Sequence, residues 1–228
     1  MIICTKHKII YLSNCKCASS TIRKYFWEIR DHEIVDAIEK QGNGNPHMPY
    51  DKVAKFLTKN YDIDIDTFFL FSTIRNPWER IVSLYNYSKP DKNGVPFWSP
   101  RFGIKREEGT SCSFEKFILS GLDYKRNTSG SFVHACKNVR DMFGKDYHKF
   151  KLYKSEELDI DKIMDDINDP SLEAKLGRSE LKIVDSTHWH MEKEKRDSEN
   201  YREYYTDEVR DIISDHYKLD IQIGGYEF

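Results

Sequence analysis

Lys8-Ile9-Ile10-Tyr11-Leu12-Ser13-Asn14-Cys15-Lys16-Cys17-Ala18-Ser19-Ser20-Thr21-Ile22 is the stretch on which the fold turns. Residues 8–13 form a short apolar run, too brief for a stable helix, and predict a buried strand. Residues 14–20 are small or polar and predict a turn. From Thr21 the apolar period changes, so that Ile22, Phe26 and Ile29 share one helical face. Ser19 or Ser20 offers the side-chain oxygen of an N-cap for that helix. Strand, turn and helix in this order form the unit from which parallel α/β sheets are built.

A second such unit follows. Residues 67–74 (TFFLFSTI) are almost continuously apolar, as expected of a strand covered on both faces. Arg75 ends the run, and Asn76-Pro77-Trp78-Glu79 places Asn at the cap, Pro at the first helical position and Glu at the third. Ile81, Val82 and Tyr85 carry that helix onward. Residues 150–153 predict another core strand, and 50–59 and 160–167 predict helices. Thr206 can cap a helix bearing Val209, Ile212, Ile213 and Tyr217, and weaker helical patterns cover 114–119 and 132–142. Residues 88–113, rich in Pro, Gly and aromatics, predict a long loop of the kind that is functional or mobile. Neither a repeat nor a linker interrupts the chain, so the expectation is one domain over residues 1–228. Its class is α/β, a three-layer sandwich around a mostly parallel central sheet.

Composition narrows the function. The chain of 228 residues has 39% hydrophobic and 14% aromatic content, enough for a large core and against disorder. No apolar run is long enough to span a bilayer, and the first residues lack the pattern of a signal peptide. A soluble, cytoplasmic protein is expected, with its five cysteines reduced. Cys15 and Cys17 have no second Cys or His pair at zinc spacing, so no metal site is expected there. A net charge of −2 excludes a general nucleic-acid surface. Basic residues nevertheless crowd the first thirty positions, where Lys6, Lys8, Lys16, Arg23, Lys24 and Arg30 face only Glu28.

That local charge coincides with the first turn. Ligands of α/β sheets bind at the carboxyl ends of strands, and the start of the following helix presents N–H groups to anions. Lys16 adds a full charge, and Ser19, Ser20 and Thr21 add hydroxyl donors. A Walker A loop is excluded, because Lys16 precedes the small residues and the Gly-x-x-x-x-Gly-Lys-Ser/Thr order is missing. On the second unit, Ser83 stands eight positions after Arg75. Arg suits bidentate phosphate binding, although a salt bridge to Glu79 would equally explain it.

Taken together, the two segments resemble the PAPS-dependent sulfotransferases, where PAPS is 3′-phosphoadenosine 5′-phosphosulfate. Residues 9–21 (IIYLSNCKCASST) resemble that family's 5′-phosphosulfate loop. Residues 71–85 (FSTIRNPWERIVSLY) resemble its 3′-phosphate motif, with Arg and Ser eight positions apart. Residues 150–158 and 201–228 add likeness to the carbohydrate (Golgi-type) sulfotransferases and their short bacterial and viral relatives. Ser19 departs from the Gly that many relatives carry. The resemblance implies a P-loop-like sulfotransferase fold. It implies PAPS as donor, 3′,5′-ADP as product, no metal, and a hydroxyl acceptor belonging to a carbohydrate.

Roles follow by the same resemblance. Lys16 would meet the bridging or 5′-phosphate oxygen, with Cys17, Ala18, Ser19, Ser20 and Thr21 around that phosphate. Arg75 and Ser83 would hold the 3′-phosphate. Asn45-Pro46-His47-Met48-Pro49-Tyr50 resembles the family's His-containing segment, which makes His47 the candidate general base, with His32, His134, His188 and His190 as competitors. Phe97, Trp98 and Arg101 are candidates for acceptor recognition, or for packing their own loop. Two other readings stay open, an ATP-using kinase and a nucleotide-binding module without catalysis.

Overall fold

A computed structural model describes residues 1–42, 44–88, 113–122, 136–177 and 200–228. Four strands form one sheet in the order β1-β2-β3-β4. They are β1 (Ile2–Cys4), β2 (Ile9–Leu12), β3 (Phe69–Ile74) and β4 (Lys151–Lys154). β1 pairs antiparallel with β2, Ile3 opposite Ile10, whereas β2–β3 and β3–β4 are parallel, with Tyr11 opposite Phe71 and Thr73 opposite Tyr153. The mostly parallel α/β sheet read from the sequence is present. The edge strand β1 is an addition, too short to show a pattern of its own. β3 starts at Phe69 because Ile65–Thr67 make a 3-10 turn, in which Asp64 accepts from the Asp66 N–H at 3.1 Å.

The chain divides into two compact units. The first holds Met1–Ile74 and Val139–Ser186, and with them the whole sheet. Side chains alternate across a strand. Ile2, Cys4, Ile9, Tyr11, Phe71 and Tyr153 share one face with Ile22 of α1 (Ser19–Tyr25) and with Phe26, which follows that helix. Ile160, Ile163 and Met164 of α7 (Ile160–Ile167) and Leu172 of α8 (Pro170–Leu176) complete that cluster. Phe71 is its centre, with ring centroids of Tyr11, Phe26 and Tyr153 at 5.0, 5.7 and 6.1 Å. Truncating such a ring costs about 3–5 kcal/mol. Residues of opposite parity, Ile3, Ile10, Leu12, Leu70, Ser72 and Ile74, are buried too. Both faces are therefore covered, the middle layer of a sandwich.

Three further helices among the described residues belong to this unit. α2 (His32–Gln41) lies outside the expected elements, because Ile34, Val35 and Ile38 are β-branched and weak helix formers. Tertiary bonds fix its start: Asp31 N–H donates to the Ile3 carbonyl at 2.8 Å, and the Asp31 carboxylate accepts from Thr5 N–H at 2.7 Å. α3 (Tyr50–Tyr61) matches its expectation and packs Tyr50 on Phe150. α6 (Val139–Phe143) overlaps the last part of the helix expected at 132–142 but starts only at Val139. Residues 136–138 are not helical, and 132–135 lie outside the described residues.

The second unit holds Arg75–Asn138 and Thr187–Phe228. Its helices include α4 (Pro77–Ser88), α5 (Phe114–Leu122), α9 (Asp207–His216) and α10 (Lys218–Gly224). Asn76 caps α4 as expected, its side-chain oxygen accepting from Trp78 N–H at 3.0 Å and Glu79 N–H at 3.2 Å. Thr206 caps α9 through the Val209 N–H at 3.3 Å. Aromatic contacts tie the closing segment to α4. Phe228 meets Trp78, Tyr201 and Tyr205, and the Tyr205 hydroxyl donates to the Trp78 carbonyl at 2.9 Å. Among the described residues no helix is long and apolar enough to cross a membrane.

Candidate active site

β2 ends in a loop whose backbone is unusual. Lys16 (φ 60°) and Ala18 (φ 56°, ψ 23°) are both left-handed, a conformation costing about 1–2 kcal/mol for an L-residue. Ser19 and Ser20 are already helical, and the N-cap of α1 is Ala18, with no side-chain cap bond. The expected Ser cap is thus corrected: the chain turns through Lys16 and Ala18, one residue earlier than a Ser19 cap requires. This also accounts for Ser19 in place of Gly, since Ser19 does not sit at a left-handed position. Left-handed residues are a component of anion-binding nests, in which backbone N–H groups turn to one side. Lys16 is partly buried, Cys17 and Ser19 are buried, and Ser20 is exposed.

Neighbours brace the loop. The Thr73 hydroxyl donates to the Cys17 carbonyl, and the Tyr11 hydroxyl lies 3.1 Å from Thr73 Oγ1. Ser72 donates to the Leu12 carbonyl at 2.6 Å, and the Cys17 thiol to the Cys15 carbonyl at 3.4 Å. The Ala18 carbonyl accepts from Thr21 and Ile22 N–H at 3.1 and 3.3 Å, which starts α1. Burial pushes the Tyr11 phenol above its ordinary range, with the Thr73 bond pulling the other way. Tyr11 and Thr73 carry no role in the sequence reading, because both fit an apolar strand.

His47 comes to this same loop. Its Nδ1 lies 2.8 Å from the Ser13 carbonyl at the exit of β2, and its N–H donates to the Asn45 side chain at 2.9 Å. A carbonyl only accepts, so Nδ1 carries the proton. In the neutral ring the basic lone pair is then on Nε2. The Asn45 turn explains why this short segment holds its shape despite lying between helices. Of the competitors, His32 is exposed at the start of α2, its ring edge-on to Trp27. His134, His188 and His190 lie outside the described residues, as do Phe97, Trp98 and Arg101.

In the second unit Arg75 stands just ahead of α4 and Ser83 in its second turn, both partly buried. An Arg75 guanidinium nitrogen lies 3.4 Å from the Glu79 carboxylate. The ion pair considered from sequence therefore exists. Among the described residues no group of three or more His, Cys, Asp or Glu side chains is arranged to hold a metal ion. Among the described residues Cys4, Cys15, Cys17 and Cys136 are not in disulfide bonds.

Neither a curated protein nor a solved structure gives a significant match to the chain. A family model does, and its match runs from residue 1 to residue 227, across the loop, the His47 segment, the Arg75–Ser83 segment and the aromatic closing segment. A match over nearly the whole length, on an α/β fold with a mostly parallel sheet, identifies the protein as a member of the sulfotransferase family.

Proposed function

We propose that this sulfotransferase takes its sulfonate from PAPS and delivers it to a hydroxyl group of a carbohydrate. The observation that carries the reading is the His47 ring bonded to the Ser13 carbonyl, at the mouth of the loop that bears Lys16. A base and a cation at the end of one strand are what sulfonate transfer demands.

The chemistry follows from those groups. The acceptor oxygen attacks sulfur, a new O–S bond forms, and the bond from sulfur to the bridging oxygen of the donor breaks. The acceptor proton passes to Nε2 of His47. Negative charge grows on the departing 5′-phosphate, and the Lys16 ammonium stabilises it more strongly in the transition state than in the bound donor. The loop from Cys17 to Thr21 supplies N–H and hydroxyl donors to the same phosphate. Arg75 and Ser83 take the 3′-phosphate, which separates PAPS from nucleotides that lack it.

The test is an acceptor screen that follows 3′,5′-ADP release from PAPS, with mass spectrometry of the sugars. Release that depends on a sugar, with a sulfated product, is expected. Binding of 3′,5′-ADP without release on any acceptor would leave a non-catalytic module. Turnover of ATP that requires magnesium would mark a kinase.

A further inference from the structure

Thr73 is fully buried on β3, beneath the loop that follows β2. Nothing in the packing of a buried strand calls for a hydroxyl there, since Val would fill the same space. A Thr hydroxyl has one proton to give and lone pairs to accept with. Its proton goes to the Cys17 carbonyl, which can only accept. The Tyr11 hydroxyl at 3.1 Å must then be the donor to Thr73. Tyr11 is itself fully buried, and burial keeps its phenol protonated. The bonds therefore run one way, from Tyr11 to Thr73 to Cys17.

The direction has a consequence for the next residue. A trans peptide is planar, with its C=O and N–H on opposite sides. Drawing the Cys17 carbonyl down to Thr73 turns the Ala18 N–H away from the sheet. Ala18 is left-handed, a state an L-residue keeps only where its surroundings hold it. The Thr73 bond on one side and the bonds from Thr21 and Ile22 on the other are those surroundings.

We propose that Thr73, backed by Tyr11, is a positioning residue that aims the Ala18 N–H at the 5′-phosphate of the donor. This rests on the reading of residues 16–21 as the 5′-phosphosulfate loop. Calorimetry on the full chain with 3′,5′-ADP and 3′-AMP isolates the 5′-phosphate, because only the first ligand has one. The parent prefers 3′,5′-ADP. Thr73→Val keeps the side-chain volume and lowers that preference about fivefold to tenfold, with 3′-AMP affinity unchanged. Thr73→Ser loses a buried methyl and melts at lower temperature, yet retains the preference. Tyr11→Phe lowers it about twofold to threefold.

A purely structural role gives the opposite pattern, in which the preference follows melting temperature across the variants. That outcome overturns the proposal, as does a folded Thr73→Val with the parental preference. Should Thr73→Val not fold, an unchanged preference in Tyr11→Phe decides against it. Equal affinities for the two ligands in the parent defeat the loop reading itself, and that failure shows before any substitution is made.

Discussion

α1 and α4 each follow a parallel strand, but they begin in different ways. α1 starts at left-handed Ala18 with no side-chain cap bond, whereas the Asn76 side chain takes the Trp78 and Glu79 N–H groups of α4. Pro77 at the first position of α4 has no N–H to offer at all. The contrast divides the labour. On the proposed reading, α1 leaves its first N–H groups for the ligand, whereas α4, where the proposed binding groups are the side chains of Arg75 and Ser83, uses its first N–H groups on its own cap. On that same reading, the motif of strand, turn and helix serves as a backbone site after β2 and as a side-chain platform after β3.

The largest expected effect breaks the chemistry of the first region alone. His47→Ala should lower turnover between about a hundredfold and ten-thousandfold while 3′,5′-ADP still binds. Lys16→Ala should lower the single-turnover rate about a hundredfold and lower nucleotide affinity much less, because charge on the leaving oxygen peaks in the transition state. A rate equal to the parent's would make Lys16 a bystander.

Smaller effects sharpen the difference between the two helix starts. Asn76→Ala removes a working cap and should cost about 1 kcal/mol, a fall in Tm of about 2–4 °C. Ser20→Ala removes no cap and should leave Tm within about 1 °C while weakening 3′,5′-ADP. Equal losses of stability in the two variants would erase the distinction. α8 supplies a third kind of start, with Asp169 as cap. Its carboxylate accepts from His7 Nδ1 at 2.7 Å, and from the Ser171 hydroxyl and N–H and the Leu172 N–H. The His7 bond first, then the Ser171 hydroxyl, holds this carboxyl well below the usual range. Its folded pKa lies below the unfolded one, so the stabilisation is complete at neutral pH and is lost as pH falls below about 4. Asp169→Asn should therefore melt below the parent at pH 7, and the gap should close on acidification.

Both helix starts announce themselves in sequence, but unequally. Asn76-Pro77-Trp78-Glu79 is legible to the atom, because capping is local side-chain chemistry and the bonds fall on the residues expected. The strand and helix around residues 9–25 are legible too, yet the backbone between them is not. Lys16 and Ala18 take left-handed conformations that usually mark glycine, held by a Thr73 bond from a strand far along the chain. Such long-range bonds leave no local pattern. β1 and α2 escape for a related reason, since three residues show no period and a β-branched helix depends on its tertiary ties. His47 enters by resemblance alone, and its bond to Ser13 spans 34 positions that no spacing rule connects.

The account stands on the claim that this chain is built for a nucleotide with phosphates at both ends of its ribose. Titration calorimetry with 3′,5′-ADP and 5′-AMP measures that claim directly, since the two ligands differ only in the 3′-phosphate assigned to Arg75 and Ser83. A charge-assisted bond contributes about 1.5–3 kcal/mol, so 3′,5′-ADP should bind tighter by about tenfold or more, and Arg75→Ala should remove most of the difference. Equal affinities for the two nucleotides in the parent protein would contradict the account.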